Sequence, residues 1–71
     1  EMIKRSEIHV GKLLRYTEGD ESWLGFVREI DESGEPDSDC DGFWLYFLAD
    51  ADRGFIYYKY DMDTVTEVQI Q

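Results

Sequence analysis

The sequence has one cysteine, one proline and no apolar run of about 18 residues, the length that a membrane helix needs. Cys40 alone cannot cross-link the chain, whereas small secreted domains usually carry several disulfides, so a reducing compartment is expected. No stretch joins a basic start, an apolar segment and a small-residue cleavage site, as an export signal would. These absences predict a cytoplasmic protein that binds no membrane.

Basic residues are scarce, at 7 against 17 acids, for a net charge of −10. A surface this negative repels phosphate backbones, which argues against direct nucleic-acid binding and against anionic lipid headgroups. The charge is uneven, because residues 16–52 hold one base, Arg28, against twelve acids, while residues 1–15 are slightly basic. This segregation favours a basic protein as partner.

The pattern of apolar residues predicts an all-β fold. The chain is 71 residues long and 15% aromatic, enough for one domain with a small core. Residues 61–64 look like a single helical turn before the last strand, and residues 1–7 like a short helical or frayed N-terminal arm. Five short strands without an amphipathic helix must curl to bury an aromatic face. We therefore expect a five-stranded small barrel or strongly curled antiparallel meander over residues 8–71, with strands at residues 8–16, 23–31, 43–49, 55–60 and 65–70.

Three segments resemble the SH3-like barrels of the Tudor type, in strand order and loop length over residues 8–70. They are Val10-Gly11-Lys12, Trp23-Leu24-Gly25-Phe26-Val27 and Asp63-Thr64-Val65. The resemblance implies an SH3-like fold, and it implies an aromatic cage for methylated lysine or arginine at one barrel end. The cage residues it suggests are Trp23, with Tyr46 or Tyr58, and Asp20 or Glu21 nearby. Ordinary core packing of these rings is the simpler interpretation.

The aromatic side chains outnumber what one face of a small sheet can bury. Both faces of residues 43–49 are apolar, so one face must find cover outside the core. The arm is a poor lid for it, because Lys4, Arg5 and Glu7 are charged. We expect an interface instead, and a homodimer through the third and fourth strands is its simplest form. The predicted partner-binding aromatics are Trp23, Trp44, Tyr46, Tyr58 and Tyr60.

Residues 29–41 contain seven acidic residues and no basic residue. The segment Asp37-Ser38-Asp39-Cys40-Asp41-Gly42 resembles the first half of an EF-hand loop, which makes calcium at Asp37, Asp39 and Asp41 an alternative. The second half departs from that pattern, because Leu48 stands where the bidentate glutamate belongs. A solvated acidic loop is the simpler interpretation. The tract also suits docking to a basic protein through Glu35, Asp37, Asp39 and Asp41, or mimicry of nucleic-acid phosphates, as in some phage and mobile-element proteins.

The sequence gives little support for catalysis. His9 is the one histidine, in a predicted strand, and Cys40 lies between two aspartates, which blunt a thiol nucleophile. The sequence shows no zinc-ligand spacing and no glycine-rich phosphate loop. We therefore expect a small acidic, non-enzymatic protein-interaction module without a cofactor, which binds itself, a basic protein or both.

Overall fold

The computed structural model describes residues 2–36 and 38–69, which form one antiparallel sheet of five strands. The order is β4-β3-β2-β1-β5, so four strands follow one another and the fifth returns beside the first. Within the described residues β4 and β5 do not pair, and the sheet is not closed. The predicted all-β, five-stranded fold is confirmed. The strands are β1 (Leu13–Glu18), β2 (Glu21–Asp31), β3 (Gly42–Phe47), β4 (Arg53–Tyr57) and β5 (Val65–Glu67).

The connection between β1 and β2 is shorter than the sequence suggested. Both strands run into the segment expected to be a loop, and only Gly19 and Asp20 lie between them. Gly19 has a φ of 62°, the left-handed conformation that a tight hairpin turn requires and that glycine adopts without strain. This turn sets the register, and it places Tyr16 directly opposite Trp23.

The core lies on one face of the sheet, here called the inner face. A β-bulge between Val27 and Glu29 shifts the register of β2 against β3, so that Val27 opposes Leu45 and Ile30 opposes Phe43 on the same side. The sequence pattern had placed Val27 and Ile30 on opposite faces, because simple alternation does not include the extra residue. The buried apolar side chains are Ile3, Ile8, Leu14, Val27, Phe43, Leu45, Ile56, Met62 and Val65.

The N-terminal arm, expected to be a short helical or frayed segment, packs into this core on the inner face. Ile3 is 6% exposed and Ile8 is 8% exposed, and they bracket a 3-10 turn at Arg5–Glu7. The charged residues between them point outward, while the two isoleucines pack against the sheet. The guanidinium of Arg5 lies 4.1 Å from the ring centroid of Tyr58. The arm therefore completes the core on the inner face, and among the predicted partner-binding aromatics it contacts Tyr58.

Helical structure is confined to two 3-10 turns in the described parts of the chain. The second, Met62–Thr64, is the turn predicted before the last strand. It buries Met62, and the Thr64 hydroxyl donates a 2.6 Å hydrogen bond to the Asp61 carbonyl. Over residues 2–36 and 38–69, no helical segment has the length and apolarity of a membrane-crossing helix.

Candidate functional site

Tyr16, Trp23 and Phe47 line a cavity of about 290 Å³ at one end of the inner face, and Phe55 of β4 also borders it. Tyr16 lies 5.8 Å from Trp23 and 5.8 Å from Phe47 between ring centroids, and Trp23 lies 6.4 Å from Phe47. The ring planes meet at 35° to 52°, so the rings form three walls rather than a stack. We call this group, Tyr16, Trp23 and Phe47, the aromatic cavity. Its faces carry the negative side of the ring quadrupoles, which attracts cations.

Three carboxylates border the aromatic cavity: Glu18, Asp50 and Asp52. All three residues are exposed, and no lysine or arginine lines the cavity in the described parts of the chain. The Tyr16 hydroxyl donates a 3.1 Å hydrogen bond to Glu18 Oε2. Burial raises the pKa of Tyr16, and the hydrogen bond and negative charge of Glu18 raise it further. Tyr16 is therefore a neutral donor at neutral pH, and the charge of the cavity rim comes from the carboxylates.

Local folding explains how these residues meet. The two-residue turn after β1 puts Tyr16 and Trp23 side by side, and alternation along β3 puts Phe47 on the same face. The β3–β4 connection then brings Asp50 and Asp52 to the same end of the sheet. Sequence reasoning had found Trp23 alone. A hairpin turn centred on Gly19 and Asp20 was the signal that would have paired it with Tyr16.

The other predicted cage residues do not border the aromatic cavity. Tyr46 lies on the opposite, outer face of β3, and Tyr58 packs 5.8 Å from Phe43 beneath Arg5. Asp20 and Glu21 are exposed at the hairpin turn. Tyr60 is 60% exposed beyond the end of β4. Trp44, Tyr46, Tyr58 and Tyr60 had been predicted to form one aromatic surface. The structure places Trp44 and Tyr46 on the outer face, Tyr58 against the core and Tyr60 beyond β4.

The acidic β2–β3 loop is tied to the arm and to the residues after β4. Asp41 is 3% exposed, and its Oδ1 accepts a 2.9 Å hydrogen bond from the Ser33 backbone N–H. Arg5 Nη2 lies 3.5 Å from Asp41 Oδ2 and 3.5 Å from Glu32 Oε2. Lys59 Nζ lies 2.6 Å from Asp39 Oδ1, and this hydrogen bond and the lysine charge hold the pKa of Asp39 below its ordinary value. Glu35 is exposed.

These contacts bear on the calcium alternative. Asp37 lies outside the described residues, and Asp39 and Asp41 each have a basic side chain within ion-pair distance. Over residues 2–36 and 38–69, no group of three or more His, Cys, Asp or Glu side chains is placed to hold a metal ion. Calcium binding through Asp37, Asp39 and Asp41 stays a prediction.

Acidification should destabilise the fold through Asp41. The Ser33 N–H lowers the pKa of this carboxyl in the folded chain, and the Arg5 guanidinium adds to the effect. A carboxyl with a lowered pKa in the folded state stabilises the fold at pH values above its unfolded-state pKa of about 3.9. This stabilisation is lost as the pH falls through the folded-state pKa. Asp41→Asn should therefore lower the urea midpoint at neutral pH and flatten its decline below about pH 4. Tryptophan fluorescence in urea at a series of pH values measures both effects.

Asp63→Asn is the matched control, because Asp63 is exposed and has no hydrogen bond or ion pair within the described residues. Its acid profile should follow that of the unaltered chain. An Asp41→Asn profile with the full acid decline would show that the loop carboxyl contributes nothing to acid sensitivity.

Comparison with known proteins gives no relative: no family model, no curated protein and no solved structure matches this chain.

Proposed function

We propose that the chain is a small, non-catalytic interaction module that binds a basic segment of a partner protein. One cationic side chain of that segment enters the aromatic cavity and meets the faces of Tyr16, Trp23 and Phe47. The observation that carries the proposal is the combination of three ring walls with three carboxylates and no base at one cavity. The Tudor-type resemblance supports the same chemistry, since such domains hold methylated lysine or arginine in aromatic cages.

The size of the aromatic cavity suits a side chain better than a free ligand. Its volume of about 290 Å³ is at the lower limit of pockets that enclose drug-sized molecules, about 300–1,000 Å³. Cation–π attraction is worth about 0.5–2 kcal/mol per contact and is greatest when the cation is desolvated, as an alkylated ammonium is. Glu18, Asp50 and Asp52 then balance the charge at the cavity rim without having to be buried.

The acidic β2–β3 loop has a separate task in this proposal. It joins the strand ends opposite to those that hold the aromatic cavity, so it does not contact the same bound side chain. Its carboxylates, among them Glu35, attract a basic partner over a longer range. Such steering raises the association rate more than the final affinity, and salt weakens it.

Neither reactive side chain of the sequence supports an enzymatic alternative. His9 is exposed and lies before β1, where a strand residue had been expected, and its Nδ1 lies 3.2 Å from the Val10 carbonyl. Cys40 is exposed beside Asp39 and Asp41. Within the described residues no hydrogen bond or ion pair joins His9 to Cys40 or to an acid, so the paired base and nucleophile that nucleophilic catalysis needs are not formed there. We place the module in the cytoplasm, in keeping with a single unpaired cysteine.

Replacing Trp23 with alanine should weaken binding of a cationic peptide about tenfold, because one of three cation-binding walls is lost. The probes are short fluorescein-labelled Gly-Ser peptides with one central residue: Lys, Nε-trimethyl-lysine or Gln. Fluorescence anisotropy gives each dissociation constant. The trimethyl-lysine peptide should bind most tightly and the Gln peptide least.

The chain offers its own control in Trp44, the second tryptophan, which lies on the outer face of the sheet. Trp44→Ala should bind the trimethyl-lysine peptide as the unaltered chain does, and circular dichroism should show that both variants fold. Equal binding of the three peptides, or equal loss in both tryptophan variants, would remove the aromatic cavity as the binding site.

A further inference from the structure

The outer face of β3 and β4 carries a continuous aromatic surface. The ring centroids of Trp44 and Phe55 are 5.1 Å apart, and those of Phe55 and Tyr57 are 4.7 Å apart, both edge to face. Phe26 is 38% exposed on the neighbouring strand, opposite Tyr46. The surplus of aromatic residues seen in the sequence therefore lies on this face, and Phe55 is the member that also lines the cavity beside Tyr16, Trp23 and Phe47.

Two arginines lie on the same aromatic surface. The Arg53 guanidinium carbon is 4.9 Å from the Trp44 ring centroid and 5.7 Å from that of Tyr46, and Arg53 Nη1 donates a 2.9 Å hydrogen bond to the Tyr46 hydroxyl. The Arg28 guanidinium carbon is 5.4 Å from the Tyr46 centroid. We call Arg28, Trp44, Tyr46, Arg53 and Phe55 the arginine–aromatic face. Stacking against rings orders both guanidinium planes before any ligand arrives.

Neither arginine is neutralised within the described residues. The ion pairs formed there use Arg5, Lys12 and Lys59, although the chain has 17 acids for 7 bases. Glu29 stands opposite Trp44 in the sheet and still pairs with neither Arg28 nor Arg53. Lys4 and Arg15 also form no ion pair in the described parts of the chain, but Arg28 and Arg53 lie against rings of one shared surface, where their guanidiniums have donor positions open to an anion.

The adjoining sheet edge favours recognition by side chains over strand addition. The backbone N–H of Arg53 donates to its neighbour Asp52 Oδ1 at 2.8 Å, and that of Tyr57 donates to Asp61 Oδ2 at 3.1 Å. These two carboxylates occupy backbone donors at both ends of β4, which would otherwise be open to another strand. A ligand therefore has more contacts open to it on the face of the sheet than backbone hydrogen bonds along this edge.

We infer that the arginine–aromatic face binds an acidic peptide segment of a partner protein. Two carboxylates of the segment pair with the guanidiniums of Arg28 and Arg53, and an apolar side chain between them packs on Trp44 and Phe55. A guanidinium matches a carboxylate through two parallel N–H donors, which makes such pairs selective for planar acids. A peptide needs only these two charges near the face, whereas nucleic acid would bring a long run of phosphates against a net charge of −10.

This inference does not depend on the proposed function, since its two arginines lie on the outer face of the sheet and its ligand carries the opposite charge. Phe55 is the one residue that the arginine–aromatic face shares with the cavity lining. The probe is a short fluorescein-labelled peptide in which Glu alternates with Leu and Phe, and its counterpart carries Gln for every Glu. The acidic peptide should bind, and the Arg28→Gln/Arg53→Gln double variant should bind it about tenfold more weakly. Arg53→Lys should also weaken binding, because an ammonium keeps the charge but loses the paired donors.

The Lys4→Gln/Arg15→Gln double variant is the matched control, since it makes the same change in net charge at two exposed positions, one on the arm and one on β1. It should bind the acidic peptide as the unaltered chain does, and Trp23→Ala should do the same. Equal binding of the Glu and Gln peptides would overturn the inference, as would a double variant that binds normally. So would binding of a single-stranded oligonucleotide without the peptide, or an Arg53-dependent dimer in sedimentation equilibrium without peptide binding.

Discussion

Gly42→Ala should strongly destabilise the domain. A Cβ at Gly42 would stand 2.1 Å from the Ile56 carbonyl oxygen and 2.7 Å from Phe55 Cε2, distances that only movement of β4 can relieve. Gly42 opposes Tyr57 at the start of β3, so the strain falls on the β3–β4 pairing that supports both proposed binding surfaces. Overpacking costs about 1–3 kcal/mol and occasionally more. Total stabilities are only about 5–15 kcal/mol. Urea unfolding followed by tryptophan fluorescence measures the loss.

Gly54→Ala is the matched control on the same pair of strands. A Cβ there would meet the nearest atoms of the Phe47 ring at 3.7 Å, an ordinary van der Waals distance, so its urea midpoint should change little. Similar midpoints for the two variants would show that β4 can move away from Gly42 at low cost, contrary to the tight packing described above.

The strands were predictable because alternation depends on neighbouring residues alone. Residues 43–49 were expected to form a strand with Phe43, Leu45 and Phe47 on one face; β3 ends at Phe47, and the structure confirms that grouping. Which face would be buried was not predictable, since Trp44 and Tyr46 are as apolar as their neighbours. The arginines decide it: Arg28 and Arg53 stack on the outer rings, where their charges stay near water.

The candidate site was less predictable, because it depends on register and on contacts between distant residues. The resemblance suggested Trp23 as a cage residue, and Trp23 lines the cavity, but its neighbours there follow from the length of one hairpin turn. A turn of two residues places Tyr16 opposite Trp23, whereas the longer loop expected from the sequence leaves the pairing undefined. The bulge at β2 and the burial of Ile3 are likewise products of tertiary packing.

Phe43→Ala should be the most destabilising of the substitutions considered. The Phe43 side chain is fully buried, opposes Ile30 on β2 and Ile56 on β4, and packs 5.8 Å from the ring of Tyr58. Truncating a buried phenylalanine costs about 3–5 kcal/mol, since the lost transfer free energy is joined by the cost of a cavity. In a domain this small, that loss approaches the whole free energy of unfolding. Thermal and urea unfolding should show a largely unfolded chain at physiological temperature.

Phe26→Ala is the control that separates the loss of a buried phenylalanine from the loss of an exposed one. Phe26 lies on β2 but points to the outer face and is 38% exposed. Truncating it therefore removes less buried apolar area than truncating Phe43, and water can fill the space that it leaves. Its urea midpoint should fall only slightly. Phe43→Leu, which fills much of the same space, should give an intermediate midpoint in a chain that still folds. If Phe26→Ala lowered the urea midpoint as much as Phe43→Ala, the outer face would have to contribute to stability as much as the inner face does. The assignment of the arginine–aromatic face as a free binding surface would then be wrong.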